Sequence, residues 1–307
     1  MTGPIVILGI FVADATFRTP RPPRTGETLI GSGFALGPGG KGSNQAVAAA
    51  LAGGQARFLT RLGFDTFADM AFKTWQDAGV TPVVIQDDKS YTGAAGIFVQ
   101  EASGDNAIIV CPGAANEISP ADIDGWSEEI RGAGVFMTQL EQPLSAALHG
   151  LRTARDFGVT TILNPAPAAK LPTDMLALCD YVTPNETEAE GLTGIPVTTI
   201  DDARHAAEKL LGLGSKAAII TLGANGALFH DGDQSVHVPA FSAGPVHDTT
   251  GAGDCFNGSF AAALTLGADP VNAVRLGCAA AAISVTRPGA AASMPTRAEI
   301  EAMIAKA

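Results

Sequence analysis

The chain has 307 residues, enough for two average domains or for one large α/β domain with a sizeable buried core. Its 31 Asp and Glu against 19 Lys and Arg give a formal charge of −12, which opposes general attraction to nucleic acid or anionic lipid. Hydrophobic residues make up 46%, yet no uninterrupted apolar run approaches the roughly 20 residues that span a bilayer, so neither a nucleic-acid nor a membrane partner is expected. Any phosphate must then be held locally, by backbone amides, helix termini, bound cations and a few basic residues.

The start, Met1-Thr2-Gly3-Pro4, lacks the basic residues and the small-residue cleavage site of a secretory signal, and it leads directly into an apolar run. This reads as the first strand, residues 5–10, of a cytoplasmic protein. Further short apolar runs at 57–61, 135–138, 160–163 and 217–221 read as strands, and helical patterns near 43–51, 67–78, 143–157 and 203–211 alternate with them. Near-continuous apolar strands between helices predict an α/β fold with a mostly parallel sheet covered on both faces. No period of 20 to 50 residues repeats. Cys111, Cys179, Cys255 and Cys278 have no paired spacing, which argues against a disulfide framework or a zinc knuckle.

Two stretches break the βα rhythm. Residues 11–37, with Pro20, Pro22 and Pro23, and residues 91–110, where 96–100 and 106–110 read as strands, show no helical pattern. They predict a small β-rich excursion, too thin for its own core, that covers an active site, pairs with another subunit, or does both. From about 251 to 307 the chain reads as three helices, the last opened by the capping box Thr296-Arg297-Ala298-Glu299. A single domain over 1–307 with this excursion is the expected organisation.

Asp248-Thr249-Thr250-Gly251-Ala252-Gly253-Asp254, followed by a helical run, is the strongest local signal. Small residues let the backbone approach a ligand, and the free amides of a helix start converge where an anion would sit. If Asp254 were an ordinary N-cap, its carboxylate would occupy those amides. The alternative is that the amides hold a phosphoryl group while Asp254 orients and deprotonates an attacking hydroxyl.

A second glycine-rich turn, Gly37-Pro38-Gly39-Gly40-Lys41-Gly42-Ser43-Asn44-Gln45, is not a P-loop, which would need Gly at Ala35 and Ser or Thr at Gly42. The first strand also lacks G-x-G-x-x-G. Exposed amides with Lys41 and Asn44 at a helix start suit polyol hydroxyls instead. Asp14, just after the first strand, is placed to accept from two neighbouring hydroxyls, with a turn carboxylate as an equal alternative.

Together, Gly39-Gly40-Lys41-Gly42-Ser43-Asn44-Gln45-Ala46, Gln139-Leu140-Glu141, Asn164-Pro165-Ala166-Pro167, Thr183-Pro184-Asn185-Glu186-Thr187-Glu188-Ala189-Glu190 and the Asp254 turn resemble, in order and over nearly the whole chain, the ribokinases of the PfkB-type carbohydrate kinase family. The resemblance implies a central, mostly parallel sheet flanked by helices, with a small β-sheet lid from about 11–37 and 91–110 that closes over the sugar and forms a homodimer contact. It implies a transferase that moves the γ-phosphate of MgATP to a primary hydroxyl of a pentose, ribose at O5 first. Sugar contacts would fall on Asp14, Gly40, Lys41, Gly42, Ser43, Asn44 and Glu141, with Asp254 as base and Gly251, Ala252 and Gly253 shaping the anion hole. The nucleotide would meet Asn185, Gly253, Cys278 and the run Thr221, Leu222, Gly223, Ala224, Asn225 and Gly226, while Glu188 would hold Mg²⁺ through water. A monovalent cation, K⁺, would sit on mostly main-chain oxygens of Asp248, Thr250, Ser284, Arg287, Gly289 and Ser293.

The chain departs from that pattern at two places. Val12 stands where ribokinases usually carry Asn, and Cys278 where an adenine-side Asn is frequent. A valine cannot bond a hydroxyl, so 2-deoxyribose is an alternative acceptor, beside nucleosides, ketoses and other sugars. Phe11, Phe17 and Phe34 offer an apolar slot for a base, or else simply fill the lid. Arg18, Arg21 and Arg24 offer charge for a sugar phosphate, or else line a solvated face. A sensor that binds sugar without chemistry is the alternative from another class, and the intact base and anion-hole motif counts against it.

Overall fold

The computed structural model describes residues 2–102 and 105–306; within the expected lid, residues 103 and 104 lie outside the described residues. Apolar runs form the centre of a nine-stranded sheet. Strand β1 (Ile5–Leu8) is followed by β2 (Val12–Thr19), β3 (Gly33–Gly39), helix α1 (Lys41–Leu51), β4 (Ala56–Leu62), α2 (Thr66–Ala78), β5 (Thr81–Gln86), β6 (Thr92–Gln100) and β7 (Asn106–Gly113). Then come α3 (Pro120–Gly125), α4 (Ser127–Arg131), β8 (Val135–Thr138), α5 (Leu144–Asp156), β9 (Thr160–Leu163), β10 (Tyr181–Val182), α6 (Glu186–Thr193) and α7 (Ile200–Gly212). The chain closes with β11 (Ala217–Thr221), β12 (Ala227–His230), β13 (Ser235–Val238), α8 (Ala252–Thr265), α9 (Pro270–Ser284) and α10 (Arg297–Ile304).

The large sheet runs β13-β12-β11-β10-β9-β8-β1-β4-β5. All pairs from β11 to β5 are parallel, and β12 and β13 add an antiparallel edge. Period-2 alternation splits the strand side chains between two cores. Ile5 and Ile7 of β1 face a core shared with α1, α2, α8 and α9, while Val6 and Leu8 face one shared with α5 and α7. Helix ends follow local chemistry: Asp65 caps α2 by accepting from the amides of Phe67 and Ala68, and Gly79, at φ 79°, stops it in a left-handed turn.

The two irregular stretches form a separate four-stranded sheet, ordered β3-β2-β6-β7. Phe17 packs on Phe34 and Phe98 within it. The three tail helices are α8, α9 and α10, and the Thr296–Glu299 capping box is formed. The first strand ends at Leu8 instead of residue 10, because Gly9 leaves the ladder close beside Gly42. Among the described residues no helix is long and apolar enough to cross a membrane.

Strand order reverses at β1, whose neighbours β4 and β8 follow it through opposite sides of the sheet. Beyond the ends of β1, β8 and β9 lie Gly9, Gln139–Glu141 and Asn164, so the crevice at the carboxyl edge of such a sheet falls where the motifs gather. Helices α1 and α8 close its other side. A side-chain carbon on Gly258 of α8 would lie 2.3 Å from the main-chain oxygen of Gln45, so glycine there is what lets the two helices approach.

Candidate active site

Asp254 occupies the first turn of α8, yet it does not cap that helix. Gly251, at φ 75°, is the N-cap, and no side chain bonds the helix start. Of the early amides, that of Ala252 donates to Thr249 O and that of Cys255 to Gly251 O, which leaves those of Gly253 and Asp254 for an anion. The carboxylate turns toward α1 instead. Asn44 Nδ2 donates to its Oδ2 at 3.0 Å and Gln45 Nε2 to its Oδ1 at 3.1 Å. The capping alternative is thereby removed: carboxylate and amides do not compete.

Helix α1 is buried although its first turns carry Ser43, Asn44 and Gln45, and each polar side chain has a reason to be there. Ser43 turns into the core, where its Oγ accepts from Trp75 Nε1 at 2.9 Å, so of the predicted sugar contacts its side chain is the one drawn away. Asn44 keeps Oδ1 buried and without a hydrogen-bond partner. The amide of Lys41 donates to Glu141 Oε2 at 2.8 Å, which brings the end of β8 against the glycine-rich turn. Across the second sheet, Val12 pairs with Gly39 and is 4% exposed. A side chain on Gly39 would collide with the Asp14 carboxylate, so this glycine makes the space in which Asp14 lies.

A cleft of about 220 Å³ runs from this turn along α8; Lys41, Asn185, Glu188, Thr221 and Gly251 to Asp254 line it. Asn185 caps α6, and its own amide donates to Glu188 Oε2 at 2.9 Å. A parallel bridge pairs Asn185 with Thr221 and so sets the start of α6 beside the end of β11. Beyond Thr221, Leu222 N–H donates to Gly226 O, and residues 223–225 form one 3₁₀ turn that leaves Gly223, Ala224 and Asn225 exposed. Cys278 does not line the cleft; it is buried in α9, where burial pushes its thiol up to about 12.

The electrostatics are dominated by carboxylates facing one ammonium. Burial raises Glu141 to about 7, against the pull of Lys41. Burial, then the Asp254 charge, raises Asp14 to about 6. Burial also holds Asp254 and Glu188 above the usual carboxylate range. For Lys41, burial alone would lower the pKa, but Asp254, Glu141 and Glu188 outweigh it and hold it above its ordinary value. Four acids against one Lys leave excess negative charge once they ionise, so a cation would ease the entry of a polyphosphate. Glu188 suits that need, since Asn185 occupies only one of its oxygens.

Beyond the start of α8, Asp248 ties two loops together by accepting from Thr250 N–H and Gly289 N–H, each at 2.9 Å. Ser284 and Ser293 spend their hydroxyls on Ala281 O and Ala290 O, and Arg287 pairs with Glu299. With those side chains engaged, what these positions leave for a ligand is mainly carbonyl oxygen. Among the described residues no group of three or more His, Cys, Asp or Glu is placed to hold a metal.

Residues that motif reading did not assign also converge here. Gln45, Gln139, Asn164 and Thr183 stood in the motifs without a role, and Asn257 was missed; it bonds Gly253 O at 2.8 Å and Thr183 Oγ at 2.6 Å. Its signal was a polar residue three positions after Asp254, in a helical run that from Cys255 to Leu264 is otherwise small or apolar apart from Ser259.

The family described as "pfkB family carbohydrate kinase" matches residues 3–297. The chain belongs to the PfkB family. Among curated PfkB relatives it is similar to the deoxyribokinase of Salmonella typhi, at 39% identity over 95% of each chain. It is also similar to the ribokinase of Staphylococcus aureus, at 38% identity over 98% of this chain and 99% of that one. The structure of Arabidopsis thaliana ribokinase complexed with ribose and ATP matches at TM-score 0.92 and 31% identity over 99% of both chains, and that of Thermotoga maritima ribokinase at 0.89 and 36% over 99% of both. The fold is therefore ribokinase-like, and this PfkB member is a carbohydrate kinase, an enzyme that phosphorylates a sugar hydroxyl.

Proposed function

We propose that this carbohydrate kinase is an ATP-dependent ribokinase that phosphorylates ribose at O5, with Asp254 as the general base. The observation that carries the reading is the buried Asp254 carboxylate, held by Asn44 and Gln45 beside helix amides that no side chain caps. The sugar O5–H proton passes to Asp254 as O5 bonds the γ-phosphorus; the bond from that phosphorus to the β–γ bridging oxygen breaks and ADP leaves. The free amides of Gly253 and Asp254, in the turn that Gly251 and Ala252 shape, receive the charge that gathers on the transferred group. Lys41 adds a fixed positive charge at the junction of sugar and phosphate.

Around the sugar, Asp14 and Glu141 accept from hydroxyls, Gly40 to Asn44 wrap it, and the unpartnered Asn44 Oδ1 takes a further hydroxyl. Asn185, Thr221 to Gly226 and Gly253 bind the nucleotide, and Cys278, buried in α9 and outside the cleft lining, offers the adenine no contact. Glu188 would hold Mg²⁺ through water, and the ion would supply charge neutralisation at the phosphates. Oxygens of Asp248, Thr250, Ser284, Arg287, Gly289 and Ser293 would hold K⁺, which would steady the anion-hole loops.

The chain acts as one domain, with the β2-β3-β6-β7 sheet as its lid. That sheet leaves Phe34 and Ile109 each 64% exposed, which supports pairing with a second copy in a cytoplasmic homodimer. A nucleoside acceptor loses support because Phe11 is wholly buried against Trp75, and Phe17 and Phe34 pack on each other. Arg21 is likewise engaged, by Glu27. One observation favours a second reading: buried, apolar Val12 gives a sugar hydroxyl no partner, as a 2-deoxypentose would require.

ADP release measured over ribose, 2-deoxyribose, hexoses and nucleosides, with and without K⁺, tests the proposal. Ribose is expected to give the highest kcat/KM. Binding of ribose with no ADP released on any acceptor would establish a sensor instead.

A further inference from the structure

Gln45 is wholly buried and does not line the cleft, yet its Nε2 donates twice, to Asp254 Oδ1 and to Asn164 Oδ1, each at 3.1 Å. A carboxylate can only accept, so Gln45 must present its NH₂ there, and its Oε1 then receives Gln139 Nε2. That choice propagates. Asn164 accepts through Oδ1, which turns its Nδ2 onto Thr183 O at 2.9 Å. The Thr183 hydroxyl donates to Asn257 Oδ1 at 2.6 Å, the nearer of its two acceptors, and Asn257 Nδ2 donates to Gly253 O at 2.8 Å. Flipping any one of these amides would set donor against donor or acceptor against acceptor.

The circuit thus begins and ends on the first turn of α8. Gly253 C=O and Asp254 N–H belong to one peptide plane, so the bond from Asn257 fixes the direction of that amide. The bond from Gln45 fixes the carboxylate of the same residue. We infer that Gln45 is a positioning residue which, through Asn164, Thr183 and Asn257, locks the base carboxylate and the anion-binding amide of Asp254 into one unit. This deepens the kinase reading and rests on it. Because Gln45 offers Asp254 only donors, it also favours the ionised carboxylate and opposes the upward push of burial.

The test uses the full chain carrying Gln45→Glu, with Thr183→Val and Thr183→Ser as a second, milder pair. A carboxyl at residue 45 withdraws the donor from Asp254, so kcat should fall about 10–100-fold while the sugar KM stays within about threefold. The acid limb of the kcat–pH profile should move upward. Thr183→Val breaks the circuit without changing its shape and should also lower kcat, and Thr183→Ser, which keeps the hydroxyl, should recover most of it. If Gln45→Glu does not fold, the Thr183 pair decides alone. A kcat and an acid limb unchanged in Gln45→Glu, or Thr183→Val and Thr183→Ser equal in kcat, would overturn the inference. Wild type and Asp254→Asn run beside them: a wild type that phosphorylates no sugar defeats the kinase reading, whereas an active wild type with an unaltered Gln45→Glu defeats the circuit alone.

Discussion

Asn44 and Asp254 are 210 residues apart in the chain, and their side chains meet at 3.0 Å in the buried interior. The contact exists because α1 and α8 pack closely enough for Gly258 to leave no room for a side chain against Gln45 O. Gly258→Ala must therefore push the helices apart. We expect a loss of about 1–3 kcal/mol in stability, read from urea unfolding, and a lower kcat as Asn44 and Gln45 withdraw from Asp254. An unchanged urea midpoint would show that the crossing has slack.

Val12→Asn probes acceptor choice. An amide placed at the end of the second sheet gives a sugar hydroxyl a partner, and a buried polar group satisfied or left unsatisfied changes binding by about 1–3 kcal/mol. The ratio of kcat/KM for ribose over 2-deoxyribose should rise about tenfold or more in the variant. Equal ratios in wild type and variant would remove Val12 from any role in specificity.

The raised carboxyls carry a pH dependence whose sign is fixed. Glu141 moves from its usual 4.5 to about 7 and Asp14 from 3.8 to about 6, so between those values the folded chain holds protons that the unfolded chain has released. Their contribution is fully present below the unfolded values and is lost as pH rises through about 6 to 7. Glu141→Gln makes the neutral form permanent and can still accept the Lys41 amide. At pH 8 its ligand-free Tm should exceed that of wild type while sugar phosphorylation falls; a lower Tm there would mean that Lys41 stabilises the charged form more than burial penalises it.

Removal of the Asp248 carboxylate tests the cation site. Asp248→Ala frees Thr250 and Gly289, so the two loops lose their common tie. K⁺ should stimulate wild type about fivefold or more, in the range of ordinary site–site coupling, and should leave the variant unchanged. Equal stimulation of both proteins would move the cation elsewhere.

Much of this was legible in the sequence. Strands at 135–138, 160–163 and 217–221 are apolar runs buried on both faces, and they fold where the pattern places them. The strands that escaped were β5, β10, β12 and β13, which are short, lie at an edge or mix polar residues, so their signal is weak. The motifs located the cleft, but they could not say which way side chains turn. Ser43 faces Trp75 because the buried indole needs an acceptor, and Asp254 leaves its helix uncapped because α1 supplies better donors. Both facts depend on chain segments distant in sequence, which no local pattern records.

Turnover of ribose with ATP by Asp254→Asn, measured beside calorimetric ribose binding, is the most direct test of the central claim. The variant keeps the shape of residue 254 and loses the proton acceptor. Its kcat should fall about 10²–10⁴-fold with ribose affinity within a few-fold of wild type. Turnover equal to that of wild type would contradict the assignment of Asp254 as the base.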